Sequence, residues 1–482
     1  MMGEGPELWT VEAVVAATGG RLQGSARDPI GGISIDSRTV APGDAFFAIR
    51  GDRFDGHDFI GAALDAGAGL AVAASDRAGD IDVSKGPVLI VDDVLVALER
   101  LGQRARGRMN GPVIAITGSV GKTGTKEALR LALEPSGSVH AAVKSFNNHW
   151  GVPLSLARMP EATTFGIFEI GMNHAGEIRP LVKMVRPHIA IITTVEAVHI
   201  EYFESVADIA RAKAEIFEGV EPGGTVLLNA DNMHYDLLCD LARRQPAIER
   251  IASFGEKPGT DVRLVEATTA DRYSDVTADV FGQTVRYRLG APGQHLVLNS
   301  LAVIGAASLA GADVDAAGAA LAGLSAPRGR GERRDLIIDG GAGVLIDESY
   351  NANPASMRAA LDLLGSTAPS AGGRRIAILG DMLELGATGE AEHARLAEAI
   401  EANAVDRVAC CGPLMRALWE KLPAHRRAHY APNSEALSEA VLDDVRVGDV
   451  VMVKGSLGSR MGPLVESLLT RYGADKSARD MA

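Results

Sequence analysis

The stretch Val113-Ile114-Ala115-Ile116-Thr117-Gly118-Ser119-Val120-Gly121-Lys122-Thr123 decides the fold. Its apolar start reads as a buried strand, and a helix is predicted from about Gly124 to Leu133. Between the two, Gly118 and Gly121 let backbone N–H groups turn toward an anion at the positive end of the helix. Lys122 can reach the β- and γ-phosphates of a nucleotide, and the Thr123 hydroxyl can ligate magnesium. Ile116 stands where the phosphate-loop pattern has its first glycine, but the strand and helix flank the loop as the pattern requires. ATP is the expected cofactor, with Thr117, Gly118, Ser119, Val120, Gly121, Lys122 and Thr123 as its cradle.

Outward from this loop, further β-branched runs follow at Phe165–Ile170, His188–Thr194 and Thr225–Leu228, several separated by helical stretches. That alternation predicts βαβ units and a mainly parallel sheet. Pro and Gly punctuate the chain near Gly111-Pro112 and again near Ser325-Ala326-Pro327, and the basic stretch Arg104–Arg108 precedes the first of these. Three α/β domains are expected. Residues 1–108 form a small N-terminal domain, 109–326 a central P-loop mononucleotide-binding domain, and 327–482 a C-terminal Rossmann-like domain. The last repeats the strand pattern at Val344–Ile346, Arg375–Leu379, Arg407–Cys411 and Val450–Val453.

Composition agrees with such a chain. Its 482 residues are 46% hydrophobic and 23% charged, and aromatics are scarce at 4%, so the cores must be aliphatic, as in parallel sheets covered by helices. A net charge of −14 argues against a nucleic-acid partner, which would need a basic face. Met1 to Thr10 lacks a basic signal-peptide region. The uncharged stretch Leu296–Ala312 is broken by Asn299, Ser300, Gly305 and Gly311, so it reads as a buried helix and not a membrane span. Three cysteines, Cys239, Cys410 and Cys411, make neither a disulfide framework nor a zinc site. A cytoplasmic monomer with small-molecule substrates and no membrane partner is expected.

In open parallel sheets ligands sit at the carboxyl ends of the strands, so polar residues there are the candidates. Glu169 lies in the apolar run Phe165–Ile170, where a carboxylate is either a solvated strand end or the ligand of a hard cation. His199 follows another run, and a lone histidine is either structural or a ligand. Lys213 falls on the apolar stripe of a helix over Val206–Glu218. There it either snorkels or has altered chemistry, including a carbamate suited to magnesium. Asp347, Tyr350 and Asn351 exceed what the helix start Asn353-Pro354 needs. With Gly380–Gly386 and Lys454–Arg460 they predict a second substrate surface at one sheet edge.

Taken together, these residues resemble the Mur ligase family, ATP-dependent amide-forming enzymes of peptidoglycan synthesis. The resemblance rests on Thr117–Thr123, Asn147-Asn148 with Gly151-Val152-Pro153, Glu169–Asn173, His199, Lys213, His295 with Asn299, Ser349–Pro354, Gly380–Gly386 and Lys454-Gly455-Ser456. Tyr350–Pro354 and Gly380–Gly386 resemble the dipeptide-adding member in particular. The resemblance implies joining of D-alanyl-D-alanine to UDP-MurNAc-tripeptide through an acyl phosphate. It implies two magnesium ions, one at Thr123 and Glu169 and one at His199 and a carbamylated Lys213. Lys122, Glu169, His199, Lys213, Arg330 and Asp347 would be catalytic; Asn299 would meet adenine, and Arg330 and Asp347 the phosphate and ribose. Ser37, Arg38, Phe47, Asp55 and His57 would take the UDP moiety, and Asn147, Asn148, Tyr350, Asn351, Asn353 and Lys454 the other substrates. Leu457 stands where many relatives have arginine, a role Arg460 is expected to take over. The alternatives are another carboxylate–amine ligase, such as a folylpolyglutamate synthase, and an ATP-driven switch protein without either small substrate.

Overall fold

The computed structural model describes residues 7–26, 29–51, 53–143, 145–198, 200–270, 272–326, 328–370 and 372–474. Among these residues the strands form three sheets. The first has the order Arg21–Gln23, Val88–Val91, Leu70–Ala74, Ala45–Phe47, Ile33–Ser34, all parallel except the Arg21–Gln23 edge. The alanine-rich Leu70–Ala74 and the valine-rich Val88–Val91 are buried throughout, which explains how so few aromatics suffice.

The second sheet has nine strands, centred on Val113–Thr117 between Phe165–Glu169 and Ile189–Ile192. Gly224–Asn229, Ile248–Gly255 and Val262–Thr269 extend it in parallel. Beyond them the sheet departs from the parallel expectation, because Ser274–Val280 and Gln283–Leu289 add an antiparallel meander. Those two strands alternate buried and exposed residues, so one face is left to solvent and a tight turn at Phe281-Gly282 can join them. The stretch read as a buried helix is the helix Gln294–Leu309, packed in the second core. No helix of the described residues is long and apolar enough to cross a membrane.

The third sheet runs Glu332–Ile338, Gly341–Glu348, Val450–Lys454, Arg375–Gly380, Arg407–Cys411, Arg427–Ala431, parallel except for its first strand. Its two faces carry separate apolar clusters, one around Leu361 and Met452 and the other around Val451 and Leu464.

The basic stretch Arg104–Arg108 is not a connector. It is the end of the helix Val94–Arg108, and Arg106, 4% exposed, donates to the carbonyls of Val185 at 2.8 Å and Arg186 at 2.7 Å. Arg106 thereby docks the helix on the end of the helix Ile178–Val185, and one apolar cluster runs from Trp9 and Leu98 through Leu154 to Val182. The Trp9 indole donates to Ala157 O at 2.8 Å and Arg158 to Ile33 O at 2.7 Å across the same seam.

Candidate active site

The strand Val113–Thr117 ends at the loop, and the helix Lys122–Leu133 starts from Gly121, which has φ 86° and no side-chain cap. The first helical N–H groups therefore point toward the loop without a side-chain acceptor. A Cβ on Gly118 would fall 1.9 Å from Thr193 Oγ1, so only glycine fits there. The loop is pinned to the neighbouring strand end. Ser119 N donates to Thr194 O at 2.9 Å, Ser119 Oγ to Glu196 O at 3.0 Å, and Thr193 Oγ1 to Val120 O at 2.6 Å. Lys122 Nζ bridges back to Gly118 O at 2.7 Å. Burial pushes this amine below lysine's usual pKa; Glu169 opposes the shift and Arg330 adds to it. Thr117 is fully buried, and its hydroxyl has no hydrogen-bond partner among the described residues.

Glu169 is the last residue of its strand and is 1% exposed, so it is no solvated strand end. Its Oε2 accepts from Thr123 Oγ1 at 2.9 Å and its Oε1 from Asn147 Nδ2 at 2.7 Å. Both hydrogen-bond donors are neutral, and Lys122 acts on the carboxylate only through space at the mouth of the phosphate loop. Oxygen-only donors with free lone pairs suit a hard cation, with phosphate oxygens and water completing the shell. Among the described residues no three His, Cys, Asp or Glu side chains cluster as a metal cage.

Lys213 ends the helix Val206–Lys213, after which the chain tightens to a 3-10 turn over Ala214–Gly219. It is 3% exposed and does not snorkel. Burial drives its amine well below the usual lysine pKa, and the Lys122 charge adds to the shift. An amine takes up carbon dioxide only in its neutral form, and burial shifts the balance at Lys213 toward that form. His199 lies outside the described residues.

The opposite wall comes from the C-terminal sheet edge. Arg330 stacks its guanidinium 4.0 Å from the Tyr350 ring centre. Asp347 accepts from Gly329 N at 3.1 Å and Ser349 N at 3.0 Å, and Tyr350 N donates to Gly329 O at 3.0 Å. Asp347, expected at the nucleotide, instead fixes the turn that carries Arg330, and its side chain is only 2% exposed. Lys454 Nζ, at a strand end, lies 3.1 Å from Glu348 Oε2 and 3.0 Å from Asn351 O. Asn353 caps the helix Pro354–Ser366 in a reciprocal box with Ser356. Ser456 Oγ ties the turns together, donating to Ala352 O and accepting from Leu383 N.

Both walls face one cavity of about 750 Å³. Its lining includes Lys122, Thr123, Asn147, Glu169, Asn299, Arg330, Tyr350, Asn351, Asn353 and Lys454, together with the turns at Leu383–Leu385 and Ser456–Gly458. The three polar turns do meet, as expected. Asn299 lies against the phosphate loop, where a Cβ on Gly121 would come within 2.8 Å of its Nδ2.

Other expected residues go elsewhere. Asn148 Oδ1 accepts from Gly151 N at 2.9 Å, just before the helix Gly151–Ala157, and the residue lies outside the cavity lining. Arg460 is also outside that lining, and Leu457 remains in it. In the first domain, Phe47 is fully buried in the apolar core and its ring offers no surface to a ligand. His57 is likewise committed: Nδ1 donates to Asp55 at 2.5 Å and Nε2 accepts from Ala74 N at 2.9 Å. The Asp55 carboxylate also holds Arg77 at 2.6 Å, whereas Ser37 and Arg38 lie in a surface turn, Arg38 paired to Asp36. Side chains not singled out from the sequence also belong to the site. Ser145 Oγ lies 3.2 Å from Thr123 Oγ1, and Asp231 and Asn232 line the same cavity. Ser145 has no pattern of its own; Asp231-Asn232, just past an apolar strand, was a signal of the kind that marked Glu169.

Family models match along the chain. The one described as Mur ligase family, catalytic domain, covers residues 29–106; Mur ligase middle domain covers 116–307; and Mur ligase, glutamate ligase domain, covers 329–457. The UDP-N-acetylmuramoyl-tripeptide–D-alanyl-D-alanine ligase of Escherichia coli K12 is 33% identical over 463 residues, 95% of this chain and 98% of that one. Among solved structures, MurF of Acinetobacter baumannii superposes with a TM-score of 0.81 at 27% identity, covering 96% of this chain and 99% of that one. MurF ligase of Thermotoga maritima in complex with ADP gives 0.74 at 26% identity, covering 91% and 97%.

Proposed function

The chain belongs to the Mur ligase family, and from that premise we propose how its cavity carries out the family's chemistry. The reaction is the ATP-dependent joining of D-alanyl-D-alanine to UDP-N-acetylmuramoyl-tripeptide, in peptidoglycan precursor synthesis. One observation carries the mechanism: the phosphate loop and the polar turns of the C-terminal sheet face each other across a single cavity. Nucleotide, acid and amine can therefore meet there.

The terminal carboxylate of the tripeptide attacks the γ-phosphorus of ATP, giving an acyl phosphate and ADP. The dipeptide amine then attacks the acyl carbon, and the tetrahedral intermediate expels phosphate. A carboxylate facing a polyanion needs its charge screened. The loop amides and Lys122 hold the phosphates, and Arg330, fixed on Tyr350 and the Asp347-bound turn, approaches from the other wall. Thr123 and Glu169 would hold one magnesium ion and His199 with a carbamylated Lys213 a second, screening charge on the transferring phosphoryl group. Asn299 lies on the nucleotide side, while Tyr350, Asn351, Asn353 and Lys454 form the surface for the reacting carboxylate and dipeptide. In this reading residues 1–108 take the UDP moiety through the surface around Ser37 and Arg38. Residues 109–326 take ATP and 327–482 the dipeptide, and the enzyme works as a cytoplasmic monomer.

The test is an omission assay. Phosphate release should require ATP, UDP-MurNAc-tripeptide and D-Ala-D-Ala together, with a product whose mass is the sum of acid and dipeptide less water. ATP hydrolysis at the same rate without either small substrate would establish a switch protein instead.

A further inference from the structure

Lys126 lies one helical turn beyond Thr123 in the helix Lys122–Leu133 and is fully buried. Its Nζ donates to Ala142 O at 2.5 Å and lies 2.9 Å from Glu127 Oε1. A buried ammonium carries a desolvation penalty that a methionine filling the same space would avoid. What the charge adds is its grip on Ala142, the first residue after the strand Val139–Ala141.

The chain beyond Ala142 reaches the phosphate site. Ser145 Oγ lies 3.2 Å from Thr123 Oγ1, and Asn147 Nδ2 donates to Glu169 Oε1 at 2.7 Å. Asn147 O accepts from Gly171 N at 2.8 Å, which fixes the asparagine beside the strand end. Positions three apart share one helix face. Thr123 and Lys126 therefore grip this segment at Ser145 and Ala142, themselves three residues apart.

We infer that Lys126 is a positioning residue: it anchors the segment that begins at Ala142, so that Ser145 and Asn147 hold Thr123 and Glu169 in the geometry for magnesium. Lys126 is not among the residues that line the cavity. The inference rests on the magnesium reading of Thr123 and Glu169 proposed above.

Calorimetric titration of the full-length protein with ADP, in magnesium and in EDTA, tests it. Lys126→Met should weaken binding of the magnesium complex about tenfold, the size of effect expected for an outer-shell partner of a metal ligand. Binding of metal-free ADP should be unchanged, and Lys126→Arg, which keeps the charge and the donor, should recover most of the loss. In an Asn147→Ala background Lys126→Met should add little, because the tether is already broken at its far end. Equal losses with and without magnesium, no loss at all, or a full additional tenfold in the Asn147→Ala background would overturn the inference. Should Lys126→Met not fold, Lys126→Gln carries the same criterion: a loss confined to the magnesium complex supports the inference, and an unselective one overturns it. A wild-type protein that binds ADP equally with and without magnesium would instead refute the magnesium reading itself.

Discussion

Asp55 and Glu169 are two carboxylates held by hydrogen bonds in neighbouring domains, and they are held to opposite ends. Asp55 is answered by cations, Arg77 at 2.6 Å and Arg50 at 3.5 Å, and by a hydrogen bond from the His57 ring. Glu169 is answered by a hydroxyl and an amide, beside a cavity. The first network is complete and stabilises the fold. The second leaves a charge for something that arrives later. A polar residue where an apolar one belongs marks a site only when its partners leave its charge unmet.

The largest effect should come at the loop that faces Glu169. Lys122→Ala should lower ADP formation by at least about 10³-fold, on the scale of losing a preorganised donor to transition-state charge. Normal turnover in that variant would remove the phosphate-loop assignment. Lys213→Ala should be nearly as damaging, and a short carboxylate or bicarbonate in the buffer should restore part of the activity. No recovery would count against a carbamate.

Glu169→Gln sharpens the contrast directly. It should lower kcat by about 10²-fold while leaving the unfolding midpoint the same or higher, because it relieves an unmet buried charge. Asp55→Asn should do the reverse, costing about 2 kcal/mol of stability with kcat unchanged. Its pH dependence has a definite sign. Burial raises the Asp55 pKa, but the hydrogen bonds from His57 and the charges of His57 and Arg77 outweigh this and hold it below its usual value. A depressed carboxylate contributes stability fully above its unfolded pKa, about 3.9, and loses it as pH falls through the folded pKa. The gap between wild type and Asp55→Asn in denaturant titrations should therefore be constant above about pH 5 and close in more acid solution. A gap that widens toward acid would contradict the network described.

Much of this was legible in the sequence, for a physical reason. The central strands are buried on both faces, so Glu169 and the glycines of the loop broke an otherwise apolar pattern. The C-terminal turns were legible by position, since parallel strands bring their carboxyl ends to one edge. Three things were not. The antiparallel meander Ser274–Leu289 alternates polar and apolar residues and has no helix to announce it. Arg106 and Lys126 look like solvated helix residues, and only the docking of another segment buries them. His57 and Asn148 resemble ligand contacts in type, but a neighbouring strand and a helix start claim their polar atoms. Sequence shows which side chains could bind a ligand, and packing decides which of them remain free to do so.

The central claim is that a carboxylate brought into this cavity attacks ATP directly. Tripeptide substrate labelled with ¹⁸O in its terminal carboxylate tests it in a single turnover with ATP and D-Ala-D-Ala. One labelled oxygen should appear in the released phosphate, because the acyl phosphate breaks at the carbon–oxygen bond when the amine attacks. Unlabelled phosphate would mean that water, and not the substrate carboxylate, had attacked ATP, and the account of the cavity would fail.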